Sequence, residues 1–175
     1  MDKVANPSPA LPGEVLRYAF GQNRAMAREL IRWATPEQVA AAPSRLLCGA
    51  AYAHDLPMLT ELLQKGLQPG DQAAPLLRPL LAAYDEQRVA HLLRDSLRVQ
   101  PEDYEAMNVC LQAQAAAEAL LERGMKLDGY LAWAAKQNVL LDTQAQEILD
   151  RLAEQQAQVN SAPEQNGPVL GGMSL

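Results

Sequence analysis

The chain has 175 residues, which is enough for one domain with a sizeable hydrophobic core. Apolar residues make up 49% of it but aromatic residues only 5%, and Ala, Leu and Gln are abundant. This mixture favours helices packed on helices and disfavours a β-sandwich, whose strands prefer β-branched and aromatic side chains. The net charge of −6 argues against a domain built mainly to neutralise nucleic-acid phosphates.

The negative charge is concentrated in the second half of the chain. Residues 1–50 carry six basic and four acidic side chains (+2), residues 51–103 five and eight (−3), and residues 104–175 four and nine (−5). A solvated helix face explains the basic cluster of the first predicted helix most simply. The alternative is a DNA-binding transcriptional regulator that uses this Arg-rich first helix. The cluster consists of Arg17, Arg24, Arg28 and Arg32.

No segment predicts export or insertion into a membrane. The residues after Lys3 lack the apolar stretch of a secretory signal, and no apolar run approaches the ~20 residues of a membrane-spanning helix. Cys48 and Cys110 lie in apolar helical sequence, which favours buried free thiols over a disulfide. These observations predict a cytoplasmic protein, and the Ala-, Gln-, Leu- and Arg-rich composition suggests a bacterial one.

The two ends of the chain lack a helical pattern. Residues 1–12 contain three prolines and predict an extended N-terminal arm. Residues 155–175 are rich in Gln and then in Gly and predict a disordered C-terminal tail. The apolar end of that tail, residues 168–175, is either a loose end or a short docking peptide. Between these segments, residues 13–154 are predicted to form one helical repeat domain.

Five apolar doublets recur through this domain at a nearly constant interval. Their first residues are 32, 30, 28 and 28 positions apart, and another apolar residue precedes each doublet by three positions. Apolar residues at i, i+3 and i+4 form one face of an amphipathic helix. The pattern therefore predicts a stack of about five similar helix-turn-helix units. The doublets are Leu30-Ile31, Leu62-Leu63, Leu92-Leu93, Leu120-Leu121 and Ile148-Leu149.

The ends of the helices are also marked in the sequence. Pairs of a cation and a glycine, Lys65-Gly66 and Arg123-Gly124, predict helix stops, and Ser96 takes the glycine position in the third unit. Thr35, followed by proline and then by glutamine at the third position, has the pattern of a capping box. The predicted N-cap residues are Thr35, Asp55, Asp103, Asp128 and Thr143.

The second unit, Arg45 to Gly66, resembles an ankyrin repeat. An Ala-Ala pair, three apolar residues, the doublet and the final glycine stand where that family has their equivalents. The last and first units match less fully, the family's Thr-Pro-Leu-His opening is missing, and the units are shorter than 33 residues. The matching residues are Ala50, Ala51, Leu56, Met58, Leu59, Leu62, Leu63 and Gly66, then Leu131, Ala134, Ala135 and Asn138, then Val15, Ala19, Leu30 and Ile31.

This resemblance covers about residues 12–154 and implies an all-α solenoid. In ankyrin-like proteins the first helices and the loops form a concave face that binds other proteins. A tetratricopeptide or other α-solenoid is the alternative family.

Reactive groups are scarce. His54 is expected in a turn and His91 on a helix flank, and neither these residues nor the cysteines have the spacing of a zinc site. Phosphate-binding glycine loops and a nucleophile elbow are missing, and acidic pairs lie at turns or helix starts. The sequence therefore predicts no enzyme, no cofactor, no metal and no small-molecule substrate.

The predicted function is that of a non-catalytic protein-binding module, such as an adaptor, a secretion chaperone or an inhibitor. The acidic second half suits a partner with a basic surface, and the apolar first helix allows a homo-oligomer. The contact positions are predicted from the ankyrin resemblance and from the frequent use of Tyr and Trp as anchors in protein interfaces. Trp133 is expected to cap the core instead. These positions are Tyr52, Ala53, Tyr84, Tyr104, Tyr130, Lys136 and Gln137.

Overall fold

The computed structural model describes residue 16 and residues 21–161, and all regular elements in these ranges are helical. A short 3-10 turn at Gly70–Gln72 precedes the fifth helix. The helices are α1 Arg24–Trp33, α2 Pro36–Ala40, α3 Arg45–Tyr52, α4 Leu56–Gln64, α5 Ala73–Ala83, α6 Glu86–Asp95, α7 Tyr104–Cys110, α8 Gln114–Glu122, α9 Leu127–Lys136 and α10 Thr143–Ser161.

The helices form pairs that stack in two layers. Short connections join α3 to α4, α5 to α6, α7 to α8 and α9 to α10. The first helices pack in the order α3, α5, α7, α9, and in the second layer α4 packs on α1 and α8 on α6. Because each pair reverses direction, the first helices all run the same way. Their carboxyl ends therefore line one edge of the molecule, which we call the turn edge.

The repeated apolar stripe forms the core, as the sequence predicts. In α4 and α6 the doublets Leu62-Leu63 and Leu92-Leu93 are buried, and in α10 so are Ile148 and Leu149. Small side chains let some helices approach closely, and α8 buries four alanines at or beside its contacts with α6 and α7. The doublet spacing thus identifies the helix faces that form the core. The helices that carry the doublets are α1, α4, α6, α8 and α10.

Most of the predicted helix starts are confirmed. Thr35 and Gln38 form a reciprocal capping box at α2, and the carboxylates of Asp55 and Asp103 accept hydrogen bonds from the third residue of their helices. Two predictions shift by one or two positions. Lys126 occupies the N-cap position of α9, so Asp128 lies in its first turn. Asp142, and not Thr143, caps α10 by accepting from the Ala145 amide.

Left-handed residues end several helices. Gly66 and Gly124 have φ angles of +98° and +107°, which confirms both predicted glycine stops. His54 and Asn138, each with φ of +54°, occupy the corresponding position after α3 and α9. At both places the next amide bonds five residues back, as Asp55 N does to the Ala50 carbonyl at 2.9 Å. His54 therefore has the turn role that the sequence predicts.

The last helix is longer than expected. Residues 155–161 belong to α10, although the sequence predicts that the helical domain ends at residue 154. The N-terminal arm, most of the first helix and residues 162–175 lie outside the described residues. None of the helices between residues 21 and 161 is long and apolar enough to cross a membrane.

Candidate protein-binding surface

Four of the seven predicted contact residues lie on the turn edge at the two ends of the first layer. Tyr52 is the last residue of α3 and Ala53 its C-cap, whereas Lys136 is the last residue of α9 and Gln137 its C-cap. Adjacent helices lie 8–10 Å apart, so three steps separate the two pairs by roughly 25–30 Å. The turn edge thus holds these residues in a row and not in a cluster.

Tyr52 is the most prominent side chain of the turn edge. It is 68% exposed, and Ala53 beside it is partly buried. The helix behind it is firmly held, since Leu47, Ala50 and Ala51 of α3 are completely buried. A large aromatic side chain on such a rigid support loses little conformational entropy when a partner covers it. The predicted exposure of Tyr52 is confirmed.

Tyr84, the C-cap of α5, also belongs to the turn edge but is half-buried. Its hydroxyl is shielded from solvent and has no hydrogen-bond partner among the residues that the structure describes. Burial raises the pKa of Tyr84, the nearby Asp55 carboxylate raises it further, and Arg88 opposes these effects. The Tyr84 hydroxyl is therefore not available to a partner in this structure.

The remaining two tyrosines lie apart from the turn edge, in an aromatic cluster between α7 and α9. The ring centroids of Tyr104 and Tyr130 are 6.5 Å apart, and each lies 6.0 Å from Trp133. Gly129 makes room for the cluster, because a β-carbon there would overlap the Tyr104 hydroxyl. Trp133 packs against the core, as predicted.

Tyr130 requires a correction. Its side chain is fully buried, and its hydroxyl lies 3.4 Å from the Asn108 Oδ1 atom. The sequence predicts a contact position because Tyr130 lies in a first helix and tyrosines are common interface anchors. Tertiary packing turns this face of α9 towards α7, so Tyr130 is a core residue. Tyr104, which is partly buried, keeps some exposed surface.

Other exposed apolar side chains were not among the predicted contacts. Trp33 is 80% exposed at the end of α1, where its indole donates to the Glu29 carboxylate at 3.1 Å. The others are Met26, Leu131, Leu140 and Val159. Four of these five residues lie on helices, where the local sequence does not separate them from core positions, and Leu140 lies in the connection between α9 and α10.

Two of the three arginines of α1, Arg28 and Arg32, lie beside acidic neighbours. The Arg28 guanidinium contacts the buried Asp55 carboxylate at 2.9 Å, and Arg32 lies 3.9 Å from Glu29. These contacts neutralise part of the positive charge that a phosphate backbone would require. The DNA-binding alternative therefore gains no support from the described part of the basic helix.

The histidines and cysteines do not converge. His91 is exposed and its Nδ1 atom lies 2.8 Å from the Asp95 carboxylate, whereas His54 sits in the turn after α3. Burial raises the pKa of both the Cys48 and Cys110 thiols, which keeps them protonated and unreactive. Among the described residues no group of three or more His, Cys, Asp or Glu side chains is arranged to hold a metal ion.

Comparisons with protein-family models, with curated proteins and with solved structures find no match for the chain.

Proposed function

We propose that this protein is a non-catalytic protein-binding module, an ankyrin-like helical solenoid that binds a specific protein along its turn edge. Its role is that of an adaptor, a secretion chaperone or an inhibitor. Three features support the ankyrin-like assignment: antiparallel helix pairs, two stacked layers, and left-handed stops at equivalent places such as His54 and Asn138.

The exposure of Tyr52 is the observation that carries the proposal. An aromatic ring that remains in water at the end of a buried helix contributes little to folding, but covering it with a partner removes a large apolar area from water. Lys136 and Gln137, exposed at the far end of the same edge, supply polar contacts at the rim. An extended row of this kind suits the surface of another protein better than it suits a small molecule.

Affinity capture with the tagged full chain tests the proposal. We would compare the unchanged protein with Tyr52→Ala and with the matched control Trp33→Ala, which removes an even more exposed aromatic side chain from a different helix. Both changes lie on the surface, so the fold should survive them, and circular dichroism checks this.

The expected result is one stoichiometric protein partner that Trp33→Ala retains and Tyr52→Ala loses. Retention by both variants, or loss by both, would remove the turn edge as the binding site. Recovery of nucleic acid in place of protein, released by salt, would favour the DNA-binding alternative.

A further inference from the structure

A groove with a volume of about 680 Å³ runs between the end of α8 and the second half of α10, far from Tyr52 along the stack. Lys126, the N-cap residue of α9, and Leu127 and Asp128 of its first turn close one side of it. The apolar residues that line it are Leu121, Leu127, Leu152 and Val159, of which Leu127 and Leu152 are almost fully buried and Val159 is exposed. We call it the α8–α10 groove.

The groove lies where α10 extends beyond the end of α8. Helix α10 has 19 residues and α8 has 9, which at 1.5 Å per residue gives lengths of about 28 and 14 Å. The stripe that is buried at Leu149 and Leu152 continues through Gln156 to Val159, which is 75% exposed. The last two turns of α10 thus present Gln156 and Val159 to the groove.

The charged residues around the groove are mostly acidic. Glu118, Glu122 and Asp128 line it and face a single cation, Lys126. Arg94 balances Glu122 from outside the groove, through a hydrogen-bonded ion pair. Glu118 accepts hydrogen bonds from Gln114 at 2.9 Å and from Gln155 at 3.4 Å, and both donors are uncharged. The lining therefore keeps a net negative charge beside its apolar floor.

We propose that the α8–α10 groove binds an amphipathic helix of a partner protein, with an apolar stripe inward and Lys or Arg residues along its flank. A helix fits because its backbone is internally hydrogen-bonded and its side-chain ridges pack between the ridges of α8 and α10. The flanking cations lie against Glu118 and Asp128, where charge complementarity favours association. This site is separate from the turn edge, so either proposal can fail without the other.

Fluorescence anisotropy with two labelled model peptides tests the proposal. The first has leucines at helical i, i+3, i+4, i+7 spacing and lysines elsewhere, and the second replaces every lysine by glutamate. The full chain is compared with Val159→Lys, which places a cation in the groove. The control is Leu140→Lys, an equal change of charge at a residue that is 96% exposed elsewhere.

We expect the Leu/Lys peptide to bind the unchanged chain, with an affinity that falls at least about tenfold in Val159→Lys and less than about twofold in Leu140→Lys. We expect the Leu/Glu peptide to bind at least about tenfold more weakly than the Leu/Lys peptide. An equal loss in both variants would mean unspecific attraction by the acidic surface and would overturn the proposal.

Two other occupants would also overturn it. A dimer of the unchanged chain that Val159→Lys converts to monomer, seen by analytical ultracentrifugation, would show that a second copy fills the groove. Tighter peptide binding after Leu170→Asp would show that the chain's own apolar C-terminal segment competes for it.

Discussion

Two regions of the second layer are held together in different ways. Helices α1 and α4 are joined by polar contacts at both ends, and so are α6 and α8. Between α4 and α6, in contrast, the structure of residues 21–161 contains no hydrogen bond or ion pair, and the two backbones are farther apart. Stacking of similar units therefore does not make every interface equivalent.

The α1–α4 contact combines an ion pair and a helix cap. At one end Arg28 contacts Asp55, whose carboxylate also caps α4 by accepting from the Met58 amide at 3.2 Å. At the other end the Lys65 ammonium donates to the carbonyl oxygens of the last turn of α1, at 2.8 Å for Arg32 and 3.1 Å for Ala34. These carbonyls have no partner within their own helix.

The α6–α8 contact uses the same position of the repeat. Arg123 is the register equivalent of Lys65, and its guanidinium donates to the Arg94 carbonyl at 2.7 Å. In the third unit Asp95 stands at this position and pairs with His91 of its own helix. In the second and fourth units the cation at this position thus caps the preceding second-layer helix, whereas in the last unit Arg151 donates to the Glu147 carbonyl of its own helix.

The largest effect is expected for Asp55→Ala. The change removes an N-cap and the partner of Arg28, so we expect the free energy of unfolding to fall by about 3 kcal/mol. The control Asp85→Ala removes an N-cap that has no such ion pair, and about 1 kcal/mol is expected. Urea denaturation measures both, and equal losses would contradict the special role of the α1–α4 contact.

Lys65→Met comes next. It keeps most of the apolar stem but removes the donor to the α1 carbonyls, and we expect a loss of about 2 kcal/mol. Arg123→Met, which removes fewer hydrogen bonds, should cost about half as much. Lys136→Met, at an exposed position, should leave the urea midpoint unchanged, and a similar loss there would point to a general effect of charge.

Asp95→Lys tests whether an added cation can join α6 to α4, as Lys65 joins α4 to α1. The new cation has the register of Lys65, but the backbones of α4 and α6 lie farther apart, so we expect a change within about 0.5 kcal/mol. Stabilisation as large as the Lys65→Met loss would show that α4 and α6 can be joined in the same way.

The smallest effect concerns the pH dependence of the α6–α8 contact. The hydrogen bond from Arg94 lowers the pKa of Glu122 below its ordinary value of 4.5. A lowered carboxyl pKa contributes stability above the unfolded-state pKa, and this contribution is lost as the pH falls through the folded-state pKa. At pH 6 the unchanged protein should therefore unfold at a slightly higher temperature than Glu122→Gln. The difference between the two unfolding temperatures should vanish near pH 2. If the difference in unfolding temperature persists in acid, the packing of Glu122 and not its charge stabilises the protein.

The local sequence determined the helices and most of their ends. The doublet spacing located the buried faces of α4, α6, α8 and α10, because an amphipathic stripe depends only on residue order and on 3.6 residues per turn. Gly66 and Gly124 as stops, and Thr35 as a cap, are equally local. The exposure of Tyr52 follows from its place at the end of a helix whose other face is apolar.

Only the tertiary structure decided what each surface touches. The sequence predicts only helix stops from the Lys65-Gly66 and Arg123-Gly124 pairs, yet the ammonium group of Lys65 and the guanidinium group of Arg123 bond to the preceding second-layer helix. Tyr130 was expected on the surface and is buried against α7. The α8–α10 groove, likewise, depends on how far α10 extends beyond its neighbour. Such contacts join residues about 30 positions apart, and their distances are set by helix packing, which the order of residues along one helix does not contain.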